Sequence, residues 1–532
     1  MLKYIKLATL NRVYQLILKN KSQRFWKEMS GSVNVQKNIL KHILDRHKST
    51  DFGIKNNFKN ITCFEKYQSN VSIQNYESLF PYIQKIMNGE KNILTESEVY
   101  MFEKTSGTSS KSKYIPFTKE LLTEIHNGTS TWLYDIYQSF PQLLNTSSYW
   151  SISPRLGEFE TTKGGLPVGL SDESEYFSII ERMFIKELMA VNPGIAKLKV
   201  EEFRFHTALD LLKDHYLGLI SVWNPSFLIL LLEFIEKNKT VLLRSLFDHK
   251  QIRRNRLKIL ENEFSCATIN FEKVWPNLAF ISTWADGHSR AMIWQLKKRF
   301  PSVHIQAKGL LMTEGIVSIP LHQINGSVLS YQSHFYEFLP YEETSDQALL
   351  HSELEVGKKY IPIITTSGGL YRYKTNDIIE IQSFYNTLPI FNFLGRCDDT
   401  VDYFGEKLNA IHIEKILEEF EKKYIKNCRF KMMAPVMIPH PHYGLFLEGE
   451  IDQGLFKEAE NYLELQLSQN HHYLLCKKLQ QLHNLKIYLV TNALEVYEND
   501  QIKNKKQKPG DYKIKVLDSS CDWPTLFHLS SR

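Results

Sequence analysis

The chain has 532 residues, 43% of them hydrophobic and 23% charged, with 24 glycines and 18 prolines. This composition excludes a wholly disordered chain, a collagen and a coiled coil, and it supplies apolar material for more than one large core. The charge of +6 comes from 65 Lys and Arg against 59 Asp and Glu. It is scattered, so a nucleic-acid partner, which asks for a clustered basic face, is not expected. The six cysteines form no CxxC pair, which disfavours a zinc ribbon or disulfide framework and fits a reducing compartment. The most apolar run, Phe227 to Ile235, holds Glu233 and is too short to span a bilayer. The expectation is a soluble, cytoplasmic, enzyme-sized protein with no integral membrane association.

In chain order, residues 1 to 19 read as an amphipathic helix. Val35, Ile39, Leu40, Ile43 and Leu44 recur at helical spacing, with Gly53 as the stop signal. Residues 100 to 115 turn to Ser, Thr, Gly and Lys. Ala279 to Trp284, His304 to Met312 and Tyr360 to Thr366 read as strands, and Arg290 to Phe300 as a helix. Strand–helix–strand order implies a parallel or mixed sheet. After a strand at Ile390 to Leu394 the pattern restarts. Helices are expected at Ile411 to Tyr424 and Leu455 to Ser468, and strands at Tyr443 to Gly449 and Leu485 to Val490. The fold class is therefore α/β: a large N-terminal domain, 1–395, and a smaller mobile α+β domain, 396–532.

Four segments carry chemistry. Thr105 to Lys113 offers hydroxyls, one Gly and lysines, groups that wrap phosphate through N–H and O–H donors. It lacks the glycine spacing of a Walker loop, and a solvated loop is the alternative. Lys308 to Gly315 puts Thr313, Glu314 and Gly315 where a strand ends, the edge at which α/β sheets bind ligands. Glu314 suits Mg²⁺, which one carboxylate can hold while most waters stay. Tyr371 to Asp377 follows the turn Thr366-Ser367-Gly368-Gly369, and Asp377 can accept from ribose hydroxyls. Gly395-Arg396-Cys397-Asp398-Asp399 and Gly405-Glu406-Lys407 lie at the boundary, where a hinge would absorb rotation. Two histidine pairs, His440/His442 and His471/His472, lack partners at zinc-ligand spacing.

The order of these segments resembles the adenylate-forming superfamily. Ser49-Thr50-Asp51-Phe52-Gly53, Gly89 to Leu94, Ser221 to Phe227, Trp284-Ala285-Asp286-Gly287 and Gly510-Asp511-Tyr512-Lys513 narrow the resemblance. They are similar to the auxin-responsive Gretchen Hagen family, in its bacterial branch, over residues 30 to 520. The resemblance implies an acyl acid amido synthetase. Such an enzyme activates a carboxylic acid with ATP as an acyl-adenylate, releases pyrophosphate, then passes the acyl group to an amine, usually of an amino acid. Carried over by motif, Ser106, Gly107, Thr108 and Ser109 cradle phosphates. Thr313 and Glu314 meet the α-phosphate and Mg²⁺, and Asp377 holds the ribose. Arg396 and Lys407 flank the hinge. Lys513 is the lysine that the small domain delivers for adenylation. Trp223, Ala285, Asp286 and Gly287 are candidates for the acyl pocket, although buried packing also accounts for Trp223. Leu310 stands where the superfamily usually offers an aromatic to adenine. A monomer is expected. Thioester formation with coenzyme A, and a dead enzyme fold used for binding, are the alternatives. Glu314, Asp377 and Lys513 together argue against the second.

Overall fold

The computed structural model describes residues 2–104, 113–151, 160–169, 179–248, 252–285, 290–341 and 347–529. Its first hundred residues are helical, as the apolar spacing predicts. Helix Leu2–Glu28 buries Leu7, Tyr14, Leu18 and Phe25, and helix Ser32–His47 buries Leu40, Ile43 and Leu44. The predicted stop at Gly53 is corrected. The helix ends at His47, and the Thr50 hydroxyl then caps a short helix, Asp51–Lys55, by accepting the Gly53 N–H. Gly53 sits inside that helix because a Cβ there would stand 2.2 Å from the His47 carbonyl oxygen. It is a close-approach glycine rather than a terminator.

The chain forms two compact units. The first comprises Met1–Trp223, Leu231–Trp284 and Arg299–Phe393, and the second comprises Asn224–Leu230, Ala285–Lys298 and Leu394–Arg532. Two mid-chain segments thus group with the C-terminal residues, which a boundary at 395/396 leaves in the first domain.

In the first unit, Ser147–Trp150, Leu217–Ser221, Phe280–Thr283 and His304–Ala307 make a four-stranded, all-parallel sheet in that order. Every residue of Leu217–Ser221 and Phe280–Thr283 is buried, the continuous burial that a covered parallel sheet requires. The strand predicted to run from His304 to Met312 stops at Ala307. Gly309 then takes φ +72, and a Cβ there would meet the Ser318 carbonyl oxygen at 2.8 Å. The chain resumes as a two-residue ladder, Leu311–Met312 against Gly315–Ile316. A larger antiparallel sheet follows, built around Lys359–Thr365. That strand pairs with Phe335–Pro340, Asp377–Tyr385 and the short Tyr373–Lys374.

In the second unit, Lys426–Val436 pairs antiparallel with His442–Glu450, which pairs parallel with Lys486–Leu489. The helices Ala410–Tyr424 and Phe456–Leu467 bury Ile413, Leu417, Phe420 and Leu463 in one core with Leu445 and Leu447 of the sheet. No described helix is long and apolar enough to cross a membrane.

Two buried histidines make stability pH-dependent. The His47 Nδ1 accepts the Glu96 N–H, and the His351 Nε2 meets the Ser32 hydroxyl at 2.8 Å. Burial holds both imidazoles down at about 4, from the ordinary 6.5. The unfolded chain therefore binds more protons than the folded one between those values, and stability falls as pH drops through that window. The thermal midpoint is expected to decline from pH 6.5 to 4. Replacing both histidines by glutamine should flatten the decline in a calorimetric pH series.

Candidate active site

The ladder Leu311–Met312/Gly315–Ile316 leaves only Thr313 and Glu314 at its tip. A two-residue connection sets both side chains at the turn of the hairpin. The Tyr373 hydroxyl donates to Glu314 Oε1 at 3.4 Å and accepts from the Lys113 ammonium at 3.3 Å. That ammonium also stands over the Tyr76 and Tyr373 rings, at 5.8 and 6.0 Å. Cation, phenol and carboxylate are therefore joined through the one phenol oxygen. Tyr76 accepts the Tyr114 N–H, and burial raises its phenol, with the Glu314 charge adding to the rise.

Tyr373 is seated by its neighbour. Arg372 has φ +44, a left-handed backbone that a non-glycine residue adopts only under compulsion. Its guanidinium forks onto Glu337, with Nε at 3.1 and 3.0 Å from the two oxygens and Nη2 at 2.9 Å. Nη1 donates to the carbonyls of Gln68 and Val71. Burial raises the Glu337 carboxyl, and Arg372 opposes that rise. Arg372 is thus a structural clamp rather than a ligand group. Asp377, just past the short strand Tyr373–Lys374, is the first residue of the strand Asp377–Tyr385 and is buried. The Thr375 hydroxyl accepts its N–H and donates to the Pro362 carbonyl.

Sequence reasoning missed a second support. His334, wholly buried, accepts the Ile316 N–H at Nε2 (3.1 Å) and meets Glu124 Oε2 through Nδ1 (2.9 Å). Because the carboxylate only accepts, the ring proton belongs on Nδ1. Glu124 also receives the Ser367 N–H and hydroxyl. A Cβ on Gly315 would lie 2.6 Å from His334 Nε2, so glycine is what lets the ring reach the hairpin. The pair joins the Thr313-Glu314 tip to the Ser367-Gly368-Gly369 turn. The separation of 210 residues between Glu124 and His334 hides it from local pattern reading.

At the C-terminal edge of the parallel sheet, the register sets Trp150 beside Ser221 and Thr283 beside Ala307. Trp223 and Trp284 follow the two central strands and meet at 5.8 Å. Trp132, from helix Lys119–Ser139, packs edge-on to Trp150 at 6.2 Å and donates to Gln306. Lys308, the first residue past its strand, donates to the Ser221 hydroxyl at 2.7 Å. Its ammonium stands 5.0 Å from the Trp223 ring and 5.6 Å from Trp132. The acyl-pocket candidate Trp223 thus has an aromatic setting, and half-buried Ala285 follows Trp284 in the chain. Leu310, in the place of an adenine-facing aromatic, packs on the apolar core.

The second unit holds the remaining candidates. Arg396 forks onto its own neighbour Asp398, at 2.9 and 3.0 Å. Lys407 is exposed at φ +45, after a turn tied by buried Glu406, which accepts the N–H groups of Tyr403 and Phe404 and the Tyr443 hydroxyl. The exposed Lys513 is carried on a held backbone. Its carbonyl accepts the Tyr497 hydroxyl, and the Tyr512 carbonyl accepts the Asn224 amide at 2.6 Å. Nearby, Lys505 pairs with Asp500 and Asp518 and stands 5.5 Å from the Trp523 ring. Ser106, Gly107, Thr108, Ser109, Asp286 and Gly287 lie outside the described residues. Among the described residues, no group of three or more His, Cys, Asp or Glu could hold a metal ion.

The fold and these motifs define a class. The model of the GH3 family N-terminal domain matches residues 21–305, and that of the GH3 family central domain matches residues 327–396. The chain belongs to the GH3 family, the auxin-responsive Gretchen Hagen family that the sequence resembles. Relatives include the indole-3-acetic acid-amido synthetase GH3.4 of Arabidopsis thaliana, 25% identical over 75% of this chain and 73% of that protein. Another is the jasmonoyl–L-amino acid synthetase GH3.5 of Oryza sativa subsp. japonica, 23% identical over 82% of this chain and 83% of that protein. A solved structure, the AtGH3.15 acyl acid amido synthetase in complex with 2,4-DB, shares the fold. Its TM-score is 0.82 at 17% identity, over 98% of this chain and 96% of that one.

The support behind Glu314 is testable directly. His334→Ala removes the acceptor of the Ile316 N–H, which should cost about 1–3 kcal/mol for a buried donor left without its partner. Hydrogen exchange should show lost protection at Ile316 while the parallel-sheet amides keep theirs. Unchanged protection at Ile316 would contradict the assigned tautomer.

Proposed function

We propose that the chain is an ATP-dependent acyl acid amido synthetase. It joins a carboxylic acid to the α-phosphate of ATP, releases pyrophosphate, and passes the acyl group from the adenylate to an amine with release of AMP. The observation that carries this reading is the Glu314 hairpin tip, joined through Tyr373 to Lys113 and fixed from behind by His334, in a chain of the GH3 family. The names of the relatives, amido synthetases of indole-3-acetic acid and of jasmonic acid, support an amino acid as the amine.

The donor set suits Mg²⁺. One projecting carboxylate is what this ion takes when substrate phosphates and waters complete its shell. Glu314 would hold it, and the metal would supply charge neutralisation on the phosphates. The chain's own groups then do the positioning. Lys113, next to the hydroxyl-rich segment, brings a cation to the same end of the site. Asp377 is fixed at its strand's start and accepts from the ribose. During in-line attack, charge spreads over the α-phosphoryl oxygens, and cations held in place lower that barrier most when they need not reorganise. Arg396, Lys407 and Lys513 contribute from the mobile C-terminal domain. Lys513 supplies its charge while pyrophosphate leaves, and that charge matters less once the adenylate exists. The protein works in the cytoplasm.

Acid-dependent pyrophosphate exchange tests this reading. Glu314→Gln and Lys513→Ala are each expected to slow exchange by about 10²-fold or more, the usual loss for one strong electrostatic contact. Given preformed acyl-adenylate and an amino acid, Lys513→Ala should still make amide at a near-normal rate. Exchange at wild-type rates in the Lys513 variant would mark that residue as a surface lysine. Equal loss in both half-reactions would point to a misfolded C-terminal domain.

A further inference from the structure

The first helix, Leu2–Glu28, is fixed to its unit by one face. Leu7, Tyr14, Leu18 and Phe25 are buried on it, and buried Asn11 donates to the Thr146 carbonyl and accepts from the Tyr137 hydroxyl. The outward face is apolar as well. Ile5, Val13, Leu16 and Ile17 are all exposed, Leu16 at 64% and Ile5 at 52%. At the α-helical repeat these four side chains fall on one stripe along the helix. Single exposed apolar residues are ordinary on a protein surface. A stripe of them, on a helix already anchored by its other face, marks a surface that meets something else.

The charge on the helix narrows what that is. It carries seven lysines and arginines against one acid, Glu28, its last residue. Lys3 pairs with Asp214, Lys6 with Glu187 and Arg24 with Glu28. Arg12 and Lys19, both exposed, border the stripe on one side, and exposed Lys27 continues it toward the end of the helix. Long basic side chains lay their methylenes along an apolar surface while the charge reaches past it. A second copy of this face is a poor occupant, because a two-fold contact would set these cations against themselves. Ile, Val and Leu carry no group that fixes a direction, which suits a fluid surface better than a shaped one.

We propose that the outward face of helix Leu2–Glu28 docks the protein on an anionic lipid surface. Ile5, Val13, Leu16 and Ile17 enter the headgroup region, and Arg12, Lys19 and Lys27 meet the lipid phosphates. The attachment is peripheral, since no described helix is long and apolar enough to cross a membrane. Apolar insertion and charge attraction act together, the two signals that lasting attachment takes. This docking does not depend on the amido-synthetase reading.

The test sediments the full-length protein with vesicles of phosphatidylcholine alone, and of phosphatidylcholine mixed equally with phosphatidylglycerol. The wild type should pellet with the mixed vesicles, less so as salt is raised, and stay in solution with phosphatidylcholine alone. Arg12→Gln, Lys19→Gln and Lys27→Gln combined should lower the partition coefficient by about 10²-fold, each cation at an anionic surface being worth about fivefold. Leu16→Asp should lower it by about tenfold or more, through lost apolar contact and added repulsion. Both variants change exposed side chains, so their thermal midpoints should stay near that of the wild type. Val356→Ser, which alters an exposed apolar residue of the same unit away from this helix, should bind as the wild type does. A wild type that binds neither vesicle overturns the proposal. So does binding that phosphatidylglycerol fails to strengthen, or that persists unchanged in both helix variants. Sedimentation velocity supplies the last arm: a dimer that Leu16→Asp abolishes, in a protein that ignores the vesicles, would give the stripe to a second copy instead.

Discussion

The buried fork between Arg372 and Glu337 is the constraint on which the first unit's site depends. Both side chains are nearly inaccessible, at 5% and 0% exposure. A charge pair taken that far out of water is held together by geometry or not at all. Here the guanidinium satisfies both carboxylate oxygens and two carbonyls at the end of the helix Phe64–Asn70. It thereby locks its own backbone at φ +44. The unusual turn places Tyr373 against Glu314 on one side and Lys113 on the other. Deleting either partner would leave an uncompensated buried charge, a loss of about 3–5 kcal/mol. The turn that seats Tyr373 would go with it.

A second set of contacts works at the same hairpin from behind. The ladder Leu311–Met312/Gly315–Ile316 is too short to be rigid on its own hydrogen bonds. Its order is imported, through the His334 ring on the Ile316 N–H and through Glu124 on the Ser367 turn. The role proposed for Glu314 gains from this arrangement, because a group already in position spends no reorganisation at the moment of reaction. The second unit follows a similar logic. Lys513 and Lys407 are exposed cations on backbones fixed by buried partners, Tyr497 in one case and Glu406 in the other.

Much of this was legible in the sequence, and the rest was hidden for physical reasons. Period places the helices Arg290–Arg299, Ala410–Tyr424 and Phe456–Leu467 within one residue of their expected bounds, because burial on one face imposes the period. Glu314 and Asp377 stand in short local motifs, so the sequence could name them as candidates without the fold. The strand from His304 was read too long because apolar Leu310, Leu311 and Met312 continue the pattern after Gly309 has turned the backbone. That error concealed the sheet-edge position of Lys308. Gly53 was misread as a stop because its reason is the distant approach of the His47 carbonyl. The Glu124–His334 pair, the aromatic setting of Trp223 and the Arg372 clamp are assembled from segments far apart in sequence, and no window on the chain contains them.

The most direct measurement of the central claim follows an oxygen atom. An acid labelled with oxygen-18 in its carboxylate, supplied with ATP and an amino acid, must attack the α-phosphorus through a labelled oxygen if an acyl-adenylate forms. Amide formation then leaves one labelled oxygen on each AMP, and mass spectrometry of the nucleotide should find one label per amide made. Unlabelled AMP, or label appearing in inorganic phosphate with ADP as the nucleotide product, would contradict the account.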